Sequence, residues 1–178
     1  MASAKDILNL IKEKDVKYVD VRFSDIRGKM QHVTFDIDLV DDEFLTDGTM
    51  FDGSSIAGWK AINESDMKLR PDLDTAIIDP FYQQTTLALF CDVVNPDTGT
   101  PYERDPRSIA KAALNFVKSA GIGDTVYFGP EAEFFIFDDV RWSTQPNDTG
   151  YSYDSSELPT NSSKEYPEGN MGHRPGPK

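Results

Sequence analysis

An α+β fold is predicted for this chain, and three observations predict it. A capped helical stripe near the start gives way to segments that alternate apolar and polar residues. A second capped helix opens at Asp105-Pro106, after the turn chemistry of Asn95-Pro96-Asp97-Thr98-Gly99. An almost wholly apolar run, Phe128 to Phe137, then carries two glutamates two residues apart.

Taken in order, Ser3 with Asp6 starts a helix over about 4–14, and Ile7, Leu10 and Ile11 form its stripe. Val19, Val21 and Phe23 alternate with Tyr18, Asp20 and Arg22, which predicts a half-buried strand. Residues 24–29 are turn chemistry. Gln31, Val33, Phe35 and Ile37 then alternate with His32, Thr34 and Asp36 to complete a hairpin. Val40 to Leu45 reads as a helical turn closed near Gly48. Residues 46–66 keep no sustained period, yet Met50, Phe51, Ile56 and Trp59 sit among the glycines and serines, as in an anchored functional loop. Strands are predicted at about 67–70, 75–79 and 85–94. One helix against a small mixed sheet is therefore expected for the first hundred residues or so.

The second helix should bury Ile109, Ala112, Ala113, Phe116 and Val117 and end at Gly121. Thr125 to Phe137 follows as a strand. Apolar residues on both of its faces suggest an interior strand of an α/β sheet. From 142 onward only Trp142, Leu158 and Met171 are strongly apolar, too few for a core, so the second domain looks incomplete at residue 178.

Composition narrows the function. The chain has 178 residues, 38% hydrophobic and 11% aromatic, which supports a core. Acidic residues outnumber basic ones 31 to 18, for a net charge of −13, which argues against nucleic acid as a partner. No apolar run approaches a membrane span and no signal peptide is evident, so a soluble cytoplasmic protein is expected. Cys91, the one cysteine, sits in an apolar run and reads as a buried thiol.

Three groups of residues are candidates for chemistry. Glu131 and Glu133 share a strand face; they either hold a divalent cation between them or lie at a solvent-exposed strand end. Asp52 in Phe51-Asp52-Gly53-Ser54-Ser55 either orients a cationic or hydroxylic group or makes an Asx-type turn. His173-Arg174 either contacts anionic groups or belongs to a solvated loop.

Phe51 to Trp59, followed by Asn63-Glu64-Ser65-Asp66-Met67, resembles the amino-terminal signature of bacterial type I glutamine synthetase. Asp105 to Lys111 resembles the opening helix of that family's catalytic domain, and Phe128 to Phe135 its first metal-ligand strand. Asn170 to Pro175 resembles a segment leading towards substrate-binding regions. The resemblance implies a β-grasp-like domain over about 1–102 and the beginning of the catalytic α/β domain over 103–178. It implies a double-ring dodecamer whose sites lie between neighbouring subunits. It also implies ATP-dependent ligation of ammonium to glutamate through γ-glutamyl phosphate, with Mg²⁺ or Mn²⁺ in two sites. By resemblance, Glu131 and Glu133 are metal ligands, and Asp52 helps bind and deprotonate ammonium. Ser55 is its companion in a subunit-bridging latch, and Trp59, the cofactor-binding candidate, is an aromatic contact across the same interface. The other metal ligands, the nucleotide signature and the active-site flap of that family lie further along than residue 178. The expectation is thus a partial synthetase sequence, inactive alone. The rivals are a non-catalytic module that binds full-length rings and a ligase joining glutamate to another amine.

Overall fold

A computed structural model describes residues 1–155. The chain divides into two compact units, Met1–Val126 and Tyr127–Lys178.

The first unit begins with α1 (Ala4–Glu13). Ser3 and Asp6 close a reciprocal capping box at its start, worth about 1 kcal/mol. Its stripe buries Ala4, Ile7 and Ile11. Among the described residues, six strands form the unit's sheet in the order β2-β1-β6-β4-β3, with β5 also on β6. They are β1 (Tyr18–Ser24), β2 (Met30–Asp36), β3 (Thr49–Asp52), β4 (Asp66–Pro71), β5 (Ile77–Ile78) and β6 (Thr86–Val94). Helix α2 (Asp42–Thr46) lies between β2 and β3. The β1–β6 pair is parallel and the other ladders are antiparallel.

The register sends odd-numbered residues of neighbouring strands to one face. Val21 stands opposite Val33 and Leu89, Leu69 opposite Val93, and Phe51 opposite Met67. That face packs with α1 and α2 into one core. The alternation in the sequence is therefore the cause of the layering, because side chains two apart share a face.

Two sequence expectations change in this unit. The segment 46–66, which has no sustained period, contains β3 and two short 3-10 turns, Gly53–Ser55 and Ile62–Glu64. Four residues with an outward Met50 and Asp52 are too short a strand to show a period. Helix α3 (Pro106–Ser119) forms where predicted, but none of its residues is buried; Ile109 and Phe116 are exposed. Charges on α3 reach the sheet instead. Lys111 Nζ lies 2.7 Å from Asp92, Arg107 Nε lies 3.1 Å from the same carboxylate, and Arg107 also pairs with Asp72.

The second unit holds β7 (Asp139–Gln145) and β8 (Asp148–Asp154), an antiparallel ribbon that the polar composition did not suggest. The expected interior strand from 125 to 137 joins no ladder, and Phe128, Phe134, Phe135 and Ile136 are exposed. An interior strand needs partners at both edges and cover on both faces, and none is found among the described residues. No helix among the described residues is long and apolar enough to cross a membrane.

Candidate functional site

Strand β3 ends at Asp52, opposite Asp66 of β4. Asp52 caps the 3-10 turn Gly53–Ser55, its carboxylate accepting from Ser54 N at 2.8 Å and Ser54 Oγ at 2.6 Å. The bond from the Ser54 hydroxyl, then that from the Ser54 backbone, holds the Asp52 carboxyl below the ordinary aspartate range. The Asx-type turn and an exposed, ionised carboxylate are thus the same feature. Gly53 explains the close packing behind it: a Cβ there would meet Met67 Cγ at 2.5 Å and the Ser65 carbonyl at 3.1 Å.

Ser55 is exposed at the end of the turn. A cavity of about 690 Å³ is lined by Met50, Lys60, Asn63, Glu64, Ser65 and Asp66, among other residues. Asp66 is the cross-strand neighbour of Asp52, so the cavity wall and the carboxylate belong to one stretch of the sheet.

Trp59 takes a different place from the one its resemblance implies. Its side chain is 5% exposed and packs inside its own unit, with ring centroids 5.5 Å from Phe23, 6.3 Å from Phe51 and 5.3 Å from Tyr102. Its buried Nε1 has no hydrogen-bond partner among the described residues. An indole in that position supports the loop from within and does not present an exposed aromatic surface.

The residues that hold this loop were not singled out in the sequence. The Tyr102 hydroxyl donates to the Trp59 carbonyl at 3.1 Å. Arg104 Nη1 donates to the Gly58 carbonyl at 2.5 Å and to the Trp59 carbonyl at 3.3 Å. An aromatic and a cation directly before the Asp105-Pro106 helix start were the available signal, but nothing local said which carbonyls they would reach.

Glu131 and Glu133 are exposed and belong to the second unit, whereas Asp52, Ser55 and Trp59 belong to the first. The stacking of Phe135 on Phe137, centroids 6.1 Å apart, matches an extended backbone with residues two apart on one side. Phe137 in turn packs on Tyr153 of β8 at 4.8 Å. Among the described residues no group of three or more His, Cys, Asp or Glu gathers to hold a metal. The two glutamates therefore offer hard oxygen donors of the right kind for Mg²⁺ or Mn²⁺, but only part of a coordination shell. His173-Arg174 and the Asn170–Pro175 motif lie outside the described residues.

Residues 15–96 match the family described as glutamine synthetase, beta-Grasp domain, and residues 103–174 match glutamine synthetase, catalytic domain. A glutamine synthetase of Bradyrhizobium diazoefficiens is 64% identical over 174 residues, 98% of this chain and 37% of that protein. A 3-hydroxylaminophenol mutase of Cupriavidus pinatubonensis is 54% identical over 176 residues, 99% of this chain and 37% of that protein. Among solved structures, the cryo-EM glutamine synthetase of Plasmodium falciparum aligns with a TM-score of 0.66 at 25% identity, covering 89% of this chain and 30% of that one. The chain spans 37% of the length of these curated relatives.

Proposed function

The chain belongs to the glutamine synthetase family, and from that premise we propose that the polypeptide carrying it joins ammonia to L-glutamate at the expense of ATP. The observation that carries the reading furthest is Asp52: an exposed carboxylate, kept ionised by Ser54, at the end of a short edge strand beside a polar cavity. The reaction transfers the terminal phosphoryl group of ATP to the glutamate side-chain carboxylate, giving γ-glutamyl phosphate and ADP. Ammonia then attacks that acyl carbon, phosphate leaves, and ammonium gives up a proton on the way.

Asp52 is assigned to ammonium. An anionic oxygen attracts the cation and orients the nitrogen. Its lowered pKa favours holding the cation; accepting the proton requires a setting that raises the carboxylate's basicity. Ser55 is assigned beside it in the loop. Glu131 and Glu133 are assigned as carboxylate ligands to two neighbouring Mg²⁺ or Mn²⁺ ions, which when bound neutralise the charge between ATP and the substrate carboxylate. Trp59, buried, is assigned to supporting the loop and not to touching a cofactor. A domain division at 102/103, a double-ring dodecamer with sites shared between subunits, and a cytoplasmic setting complete the proposal.

The test is Asp52→Ala in the polypeptide that makes glutamine. Ammonium-dependent turnover should fall by about 10²-fold or more while ATP binding persists, as for removal of a group acting on the proton and the nucleophile. Unchanged kinetics would remove Asp52 from the mechanism. A second reading comes from the mutase relative: the same protein should be assayed with 3-hydroxylaminophenol, and conversion of that compound without glutamine formation would replace the ligase reading.

A further inference from the structure

We infer that Tyr102 and Arg104 are positioning residues for the Asp52 loop, gripping the carbonyls at its middle and thereby tuning the ammonium step. The inference rests on the ligase reading for its kinetic part and on geometry alone for its structural part.

The loop leaves the sheet at Asp52 and returns to it at Asp66. Its two 3-10 turns supply few backbone hydrogen bonds of their own. At its middle, Gly58 has φ +81, a left-handed bend that favours glycine, and an added Cβ would also meet Ile26 Cδ1 at 2.9 Å. Trp59 follows, its Nε1 buried and without a hydrogen-bond partner among the described residues. The bend is held from outside the loop. The donors that hold it are the Tyr102 hydroxyl on the Trp59 carbonyl and the Arg104 guanidinium on the carbonyls of Gly58 and Trp59.

The two donors are themselves fixed. Tyr102 is buried; its N–H donates to the Val93 carbonyl of β6 at 2.9 Å and its ring lies 5.3 Å from that of Trp59. The Lys60 Nζ sits 5.3 Å from the Tyr102 ring centroid, which closes the loop over the same ring. One residue beyond Arg104, Asp105 accepts from Val93 N at 3.3 Å. Residues 102–105 are thus an anchored clamp on β6, and its two side-chain donors reach the loop that starts at Asp52. A shift of the carbonyls at 58 and 59 would be passed along a short segment to the Asp52 carboxylate.

The experiment uses the complete synthetase polypeptide with Tyr102→Phe, Arg104→Met, their combination, and Arg104→Lys. The double variant should raise the ammonium KM about tenfold to a hundredfold, the scale of a small misplacement, with the KM values for glutamate and ATP unchanged. Arg104→Lys should restore part of what Arg104→Met loses, since an ammonium group still donates to one carbonyl. A purely structural role would lower Tm and weaken all three substrates together. An ammonium KM within about twofold of wild type in the folded double variant overturns the inference. If the double variant does not assemble, Tyr102→Phe, which removes one oxygen, is judged by the same criterion.

A wild-type protein without ammonium-dependent glutamine formation would refute the ligase reading instead. The inference is then decided by the fluorescence of Trp59, isolated as the difference between each protein and the same protein carrying Trp59→Phe. Red-shifted emission and easier acrylamide quenching in the double variant support the clamp; unchanged emission overturns it.

Discussion

Asp20 is fully buried on the face of the sheet opposite the α1 core. Burial pushes its carboxyl pKa up, but hydrogen bonds from Thr34 Oγ1, Arg22 Nε and His32 Nδ1, each at 2.7 Å, outweigh that effect and leave it below the ordinary 3.8. Arg22 also reaches Asp79 at 2.5 Å, so one cation ties β1 to the turn after β5. A carboxyl whose pKa is lowered on folding stabilises the protein above its unfolded value and loses that stabilisation as pH falls through the folded one. Asp20→Asn should therefore cost about 2–4 kcal/mol at neutral pH, because it leaves part of a buried charged network unpaired. The gap between variant and wild type should narrow below pH ~4, and denaturant titrations at several pH values measure both effects. In the sequence Asp20 was legible only as the outward residue of a half-buried strand. Parity gives the face of a side chain but not what covers that face. The same limit applied to Trp59, whose aromatic character marked an anchored loop without saying that its neighbours would enclose it.

Elements with local causes were read well. The capping box places α1, the alternation places β1 and β2, the apolar run at 87–91 marks β6, and Asp105-Pro106 places α3. Elements that depend on partners far along the chain were not. The run from 125 to 137 has an interior strand's composition, yet composition cannot supply ladder partners, and β3 is too short to show a period. For α3 the apolar stripe was legible, while its attachment through Arg107 and Lys111 to Asp72 and Asp92 was not. Asp105 is where cap and attachment meet. It accepts from Arg107 N at 3.2 Å, Ser108 N at 3.1 Å and Ser108 Oγ at 2.6 Å, and from Val93 N of β6. Asp105→Ala should lose about 2–3 kcal/mol, more than an ordinary cap, since a buried strand N–H is orphaned as well. Asp105→Asn, which keeps an acceptor oxygen, should recover more than half of the loss in thermal melts. Equal melts for the alanine variant and wild type would detach α3 from β6.

Over the whole molecule, a net charge of −13 coexists with a tightly apolar core in the first unit, because its strands segregate charge by parity. The ladders converge on β6, which pairs with β1 on one edge and with β4 and β5 on the other. Cys91 lies on β6 at the point where Pro71 of β4 pairs with it, 1% exposed. Burial, reinforced by the negative charge of Asp92, pushes its thiol up to about 12. The thiolate is the reacting species, so at pH 8 the folded chain should react with an aromatic disulfide at least about 10³-fold more slowly than the denatured chain. Exposing Cys91 means separating β6 from its neighbours, which dismantles the sheet, whereas opening the β7–β8 ribbon exposes no thiol. Labelling should then follow the global unfolding of the first unit, with a denaturant dependence equal to that of unfolding followed by circular dichroism. A shallow, denaturant-independent labelling rate would show instead that β6 opens locally, and the sheet would lose its standing as the rigid frame that holds the Asp52 loop.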